Sequence, residues 1–280
     1  MQMKCAWNEL LAILPAWLRT DTDKLGREFL QEIRIRSGRS PELIFAGKSY
    51  YLQQAATDQD ISFCINTATK YSPWASESMA KGYIACPGGH RMGLCGEAVI
   101  RNGMLQGLKN VKYLCIRVAR DIPGCSDRIK DIRKSLLILG PPGSGKTTLL
   151  RDMIRRISSS GSGSIAVVDE RRELFPQGVF DEGPRTDVLT GCTKAQGLDL
   201  LIRTMGPMYV AIDEVTAPED CDALIRAGNC GVKLLATAHA SCMEDLQRRP
   251  VYRELINSSL FESIVVLQQD KSLRTERMGT

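Results

Sequence analysis

Residues Gly140-Pro-Pro-Gly-Ser-Gly-Lys-Thr147 lie between the apolar run Leu136-Leu-Ile-Leu139 and an amphipathic stretch over 148–157. No other feature limits the fold as tightly. The spacing is G-x-x-x-x-G-K-[ST], which requires a buried strand that turns sharply into a helix. Gly143 and Gly145 allow the backbone to bend so that its N–H groups converge on phosphate oxygens, at the positive end of the following helix.

Around this loop the chain alternates apolar strand-like runs with helical patterns. The runs are Ile165-Ala-Val-Val168, Tyr209-Val-Ala-Ile212, Val232-Lys-Leu-Leu-Ala236 and Ile264-Val-Val-Leu267. Such alternation predicts a mostly parallel sheet with helices on both faces, and uniformly apolar runs suit strands covered on both sides. The Ser/Gly tract 158–164 reads as a flexible connection between the first helix and the second strand.

Before residue 125 the texture changes. Glu32-Ile-Arg-Ile-Arg36 alternates polar and apolar residues, Gly38 and Pro41 punctuate, and Leu43-Ile-Phe45 and Tyr50-Tyr-Leu52 predict short strands around Gly47. Gly82-Tyr-Ile-Ala85, the turn Pro87-Gly-Gly89 and residues 91–100 read as a hairpin, with 113–118 a returning strand. The expected fold is α/β: a RecA-like P-loop ATPase core over 125–280, with a smaller N-terminal α+β domain over 1–124 and a boundary near Pro123-Gly124.

Composition narrows the function classes. At 280 residues, two domains are expected. No apolar run approaches the ~20 residues of a membrane-spanning helix. Leu10-Leu-Ala-Ile-Leu14 is stopped by Pro15 and reads as an amphipathic helix, not a leader. Ten cysteines without a C-x-x-C pair point to reduced thiols in a cytoplasmic protein, not to zinc. The net charge of +5 belongs to the first part of the chain, with eighteen Lys and Arg against twelve Asp and Glu before residue 131. No block of like charge and no aromatic RNA-binding signature accompanies it, so a solvated basic face is expected and no nucleic-acid partner.

Site chemistry follows from the strand ends. Gly140, Pro141, Pro142, Gly143, Ser144, Gly145, Lys146, Thr147 and Thr148 are expected to cradle a nucleoside triphosphate. Lys146 would reach the β and γ phosphates and the Thr147 hydroxyl would ligate Mg2+. Asp213 ends the strand run 209–212 at the edge where open α/β sheets bind ligands, which makes it the second holder of the metal. Glu214 follows and is suited to polarising an attacking water. Val168-Asp169-Glu170-Arg171-Arg172-Glu173 also ends a strand in acids, so Glu170 and Glu173 compete with Glu214 for the role of base. His239 ends another strand, where an imidazole can donate to a γ-phosphate. His90 reads as a turn residue. ATP and Mg2+ are the expected cofactors.

Beyond the loop, a set of motifs carries a family resemblance. G-P-P-G-S-G-K-T-T-L-L-R-D, V-V-D-E-R-x-E, D-V-L-x-G-C, Ile202-Arg203-Thr-Met205, I-D-E, A-G-x-x-G-V and A-T-A-H run through the core. Glu32-Ile-Arg-Ile-Arg36, Gly82-Tyr-Ile, G-G-H-R-x-G, Gly96 and Ile116-Arg-Val-Ala-Arg120 run through the N-terminal part. Together they resemble the stage III sporulation protein AA family over nearly the whole chain, a family similar to secretion and pilus ATPases. The resemblance implies an acidic box over 169–173, a Walker B end at Asp213-Glu214 and a histidine-box sensor at His239. It also implies a cytoplasmic homo-hexamer of the mother cell, docked on membrane-bound channel or secretion-complex proteins and powering a channel toward the forespore. Thr216-Ala-Pro218 departs from the pattern, in which a glycine is expected soon after the acids.

A ring ATPase completes its site with an arginine from outside the P-loop. The candidates are Arg34, Arg36, Arg117 and Arg120 in the N-terminal part and Arg171, Arg172, Arg203 and Arg249 in the core. Other classes compatible with the motifs are a nucleic-acid-stimulated ATPase, a nucleotide-sensing scaffold without useful hydrolysis, and a small-molecule kinase, the last lacking any arginine-rich lid after Asp213.

Overall fold

The computed structural model describes residues 3–26, 28–45, 47–70, 82–176 and 178–277. The described residues divide into two compact units, Lys4–Arg120 and Asp121–Arg277, with Met3 belonging to the second.

In the first unit, helices α1 (Trp7–Ala12), α2 (Ala16–Leu25) and α3 (Asp58–Ala68) accompany an antiparallel sheet. Its strands are β1 (Leu30–Arg36), β2 (Glu42–Phe45), β3 (Lys48–Tyr51), β4 (Tyr83–Ala85), β5 (Arg91–Arg101) and β6 (Met104–Arg117), in the order β3-β2-β1-β6-β5-β4. The period of two buries Ile33, Ile35, Leu43, Met92, Leu114 and Ile116, and they share one core with Leu10, Leu14, Leu18 and Ile61 from the helices. Thr57 starts α3 through a reciprocal capping box with Asp60. The returning strand expected over 113–118 begins at Met104, because Asn102-Gly103 closes a two-residue turn. Both take positive φ, 51° and 74°, as a primed hairpin turn demands.

His90 is buried and ties three segments of this unit together. Its Nδ1 accepts from the Ala119 amide at 3.1 Å, and its Nε2 lies 2.8 Å from the Ala6 carbonyl. The ring therefore carries its proton on Nε2 and donates it to Ala6. The expected turn residue is a neutral buried pin.

In the second unit, seven strands run in the order β13-β12-β7-β11-β10-β8-β9 among the described residues. They are β7 (Leu136–Leu139), β8 (Ile165–Asp169), β9 (Thr186–Thr190), β10 (Tyr209–Ile212), β11 (Lys233–Ala238), β12 (Ser263–Leu267) and β13 (Leu273–Arg277). All pairings are parallel except β12 with β13. The five runs read as strands from the sequence are the central β7, β8, β10, β11 and β12, almost wholly buried. The additional β9 and β13 are edge strands. They carry Thr, Asp, Arg and Glu where an apolar run would have announced a strand.

Helices α4 (Lys146–Ser159), α5 (Lys194–Met205) and α6 (Pro218–Asn229) flank this sheet. α4 takes in Ser158 and Ser159, so the flexible connection expected over 158–164 starts only at Ser160. Ser158 is buried, and its hydroxyl accepts from the Arg185 amide at 2.7 Å. α4 also fixes the chain just ahead of the sheet. Asp152 accepts from the Gly124 and Ser126 amides, and Arg155 meets buried Asp121 at 2.7 Å.

Burial holds the His90 ring below its ordinary pKa, with the Ala6 hydrogen bond opposing the shift. Unfolding therefore takes up a proton, and the stability contributed is full above the unfolded value of about 6.5 and is lost as pH falls from there toward the lowered folded value. His90→Ala is expected to cost about 2 kcal/mol and to flatten this acid dependence. Urea unfolding at pH 7.5 and pH 5.5 for both proteins measures it.

Candidate functional site

β7, β8, β10 and β11 all finish on the carboxyl edge of the parallel sheet, and the site is built there. The loop from β7 to α4 depends on its glycines. Gly143 and Gly145 have φ of 72° and 102°, and Gly145 is the N-cap of α4. At Gly140 a Cβ would come within 2.5 Å of the Ser144 hydroxyl and 2.7 Å of the Leu267 carbonyl. Ser144 Oγ is buried with no hydrogen-bond partner among the described residues. First-turn amides of an α-helix have no acceptor within the helix, so α4 offers this loop a positive N-terminus.

Lys146 folds back into its own loop. Its Nζ donates to Gly140 O at 2.8 Å, Pro141 O at 3.0 Å and His239 Nδ1 at 2.9 Å. Those are all the donors an ammonium has. Burial lowers the Lys146 pKa, while Asp213 and Glu214 oppose the shift. Because His239 Nδ1 accepts, its Nε2 carries the proton and donates to Glu214 Oε1 at 2.6 Å. Lys146, His239 and Glu214 thus form one chain of hydrogen bonds.

A second chain centres on Asp213. Its Oδ2 accepts from Thr147 Oγ1 and its Oδ1 from Thr237 Oγ1, each at 2.6 Å. Asp213 follows β10 and the P-loop follows β7, yet these strands are not neighbours; β11 lies between them and supplies Thr237. The fully buried Thr237 also receives the Glu214 amide on its hydroxyl at 2.8 Å and the Val215 amide on its carbonyl at 2.8 Å. Glu214 itself takes φ 58°, a left-handed conformation that a non-glycine residue adopts at about 1–2 kcal/mol. The glycine expected near the acids is absent because Glu214 makes the turn itself. Burial tends to raise the Glu214 carboxyl, but the His239 hydrogen bond and the Arg171 charge bring it below the ordinary range.

The acids at the end of β8 line one cleft with those that follow β10: Asp169, Glu170, Glu173, Asp213 and Glu214, with Arg171 and Lys194. Asp169 is no solvent-facing acid. Buried, with its pKa raised by that burial, it accepts from the Glu173 and Phe175 amides at 2.8 Å each. Arg151 of α4 grips the same loop by donating to Glu173 O at 2.7 Å and to Leu174 O. Glu170 pairs with the largely buried Lys194 at 3.2 Å, and Lys194 also meets Asp220, the acid that caps α6.

Comparison with known proteins is decisive for the family. The profile described as "Sporulation stage III, protein AA" matches residues 6–277. This chain belongs to the stage III sporulation protein AA family. Stage III sporulation protein AA of Bacillus subtilis (strain 168) is 35% identical over 94% of this chain and 92% of its own length. Among solved structures, the ATPase DotB of Legionella pneumophila superposes with a TM-score of 0.60 at 14% identity, covering 93% of this chain and 78% of DotB. The pilus retraction motor PilT with bound ADP gives 0.61 at 16%, covering 89% and 76%. At such identities the likeness shows the fold, a RecA-like P-loop ATPase core with a smaller N-terminal α+β domain.

Within this family fold the candidate arginines mostly hold partners in their own unit. Arg34 bonds Glu32, Arg36 meets Glu42 at 3.0 Å, and Arg117 lies 3.9 Å from Glu32. Arg171 pairs with Glu214 at 3.3 Å, Arg203 donates to Asp199 O, and Arg249 meets Asp245 at 3.1 Å. Arg120 is half-buried, and Arg172 is exposed with φ 56°. Sequence reasoning missed Thr237, Arg151 and Lys194. It also missed Lys271, whose Nζ donates to Gly143 O from the turn before β13. Thr237 was detectable, since it stands two residues before His239 at the end of the run that forms β11. Thr237→Val should strand the Asp213 carboxylate and the Glu214 amide and cost about 1–3 kcal/mol, whereas Thr237→Ser keeps both bonds. Thermal unfolding of the two variants compares them.

Proposed function

We propose that this chain is a Mg2+-dependent ATPase that works as a homo-hexameric motor of the secretion type, serving the channel complex between mother cell and forespore. The observation that carries the enzymatic part is the Thr147–Asp213 contact of 2.6 Å beside a glycine cradle. It joins a hydroxyl and a carboxylate, both hard oxygen donors of the kind Mg2+ takes. Thr147 and Asp213 would hold the ion, which when bound neutralises charge on the phosphates. The loop fits the phosphates themselves through its left-handed glycines, the N-terminus of α4 and the Ser144 hydroxyl, which has no partner among the described residues.

Among the three carboxylates, Glu214 is assigned as the base that takes a proton from the attacking water. It adjoins Asp213, its backbone is fixed by Thr237, and His239 orients its carboxylate. Its lowered pKa keeps it ionised as an acceptor. Glu170 is given to Lys194, and Glu173 shapes the cleft wall. His239 links the base to Lys146 and registers the phosphate that Lys146 binds.

The motor reading is supported by the fold shared with DotB and PilT and by membership of a sporulation family. Its partners would be membrane-bound proteins of the channel complex. An arginine from a neighbouring copy would complete the site.

Lys146→Ala should abolish nucleotide binding in titration calorimetry. Glu214→Gln should keep binding and lower kcat by at least about a hundredfold, against less than about tenfold for Glu170→Gln or Glu173→Gln. The acid limb of kcat/KM should fall below the ordinary glutamate range. Full hydrolysis by Glu214→Gln would sink the assignment, and tight binding without any phosphate release by the unaltered protein would sink the enzyme reading. Light scattering with and without a non-hydrolysable ATP analogue tests the ring, which a monomer under both conditions would refute.

A further inference from the structure

Among the described residues, the β5–β6 hairpin runs on past the strands that flank it. β4 pairs with β5 only at Arg91, Met92 and Gly93, and β1 pairs with β6 only from Tyr113 to Arg117. The hairpin continues past them as a two-stranded ribbon on the order of 25 Å long. At its turn end Ile100, Met104 and Leu105 are 65%, 62% and 56% exposed. Ile100 and Leu105 face one another in register, and Arg101 and Met104 form the closing pair. A two-stranded ribbon is marginal in water, and clustered apolar side chains at its end mark a contact surface.

Charge identifies what covers this end. Residues 97–112 hold Arg101, Lys109 and Lys112 against one acid, Glu97, which is engaged by Lys109 at 3.4 Å and Asn110 at 3.0 Å. The whole unit Lys4–Arg120 has sixteen Lys and Arg against ten Asp and Glu. We propose that the turn over residues 100–105 is a membrane-contact point that presses Ile100, Met104 and Leu105 into the headgroup boundary of an anionic lipid bilayer.

The distribution of side chains favours lipid over an added protein strand. Over residues 97–112 the exposed large apolar side chains are Ile100, Met104 and Leu105, all at the turn end, while the ribbon behind them presents Glu97, Lys109, Asn110 and Lys112. A strand added along either edge would meet that polar stretch. Interfacial burial reaches about 5–10 Å, two or three residues of strand, so the unpaired edges stay hydrated as their N–H and C=O groups require. No helix among the described residues is long and apolar enough to cross a membrane, so the contact proposed is superficial.

Flotation of the full chain tests this with vesicles of mixed phosphatidylglycerol and phosphatidylcholine, and with phosphatidylcholine alone. The protein should float with the anionic vesicles only. The triple variant Ile100→Ser, Met104→Ser, Leu105→Ser should partition at least about tenfold more weakly, and Arg101→Glu and about 0.5 M salt should each reduce binding. These side chains are exposed, so circular dichroism and ATP turnover should match the unaltered protein. Absence from anionic vesicles, or unchanged partitioning of the triple variant, would overturn the proposal. So would turn-dependent self-association without vesicle binding, which would make a second copy the occupant.

Discussion

The Asp213 carboxylate holds three strands of the site in one arrangement. One oxygen takes the Thr147 hydroxyl from the start of α4 and the other takes Thr237 from β11, so the ends of β7, β10 and β11 are locked through a single side chain. Because Thr237 also accepts the Glu214 amide, the left-handed turn at Glu214 is fixed by the same network. Strain of this kind persists only where the surroundings over-determine it. Here the over-determination is visible residue by residue.

The loop after β8 is held on the same terms but from the other side. Asp169 gathers its amides and Arg151 its carbonyls, and both are buried. Glu170 and Glu173 are carried on a loop whose backbone is fixed by one buried acid and one buried base. Lys194 extends the arrangement to α6, since it meets both Glu170 and the Asp220 cap. Glu170 is therefore tied through Lys194 to the helix that follows β10.

What the sequence made legible follows burial. The five central strands were readable because burial on both faces demands apolar residues at every position, and the P-loop because its turn demands glycine. The edge strands β9 and β13 escaped, since half-exposed strands carry no such demand. The length of β6 escaped although Asn102-Gly103 is a strong hairpin signal. At the site, strand ends placed Asp213, Glu214 and His239 on one edge. They could not show that Lys146 would reach His239, or that Thr237 would bridge two non-adjacent strands, because such contacts depend on strand order. Arg151 and Lys194 looked like ordinary helix charges, and only packing shows them buried.

The three donors of Lys146 are all satisfied by the chain, two by its own loop and one by His239. A phosphate arriving at this loop cannot simply add to a waiting cation; it must trade places with a carbonyl or the imidazole. If the imidazole is exchanged, His239 Nδ1 loses its donor and the hydrogen-bond chain from Lys146 to Glu214 is cut at its middle. Occupancy of the loop would then reach the opposite wall of the cleft through the one bond that orients the Glu214 carboxylate.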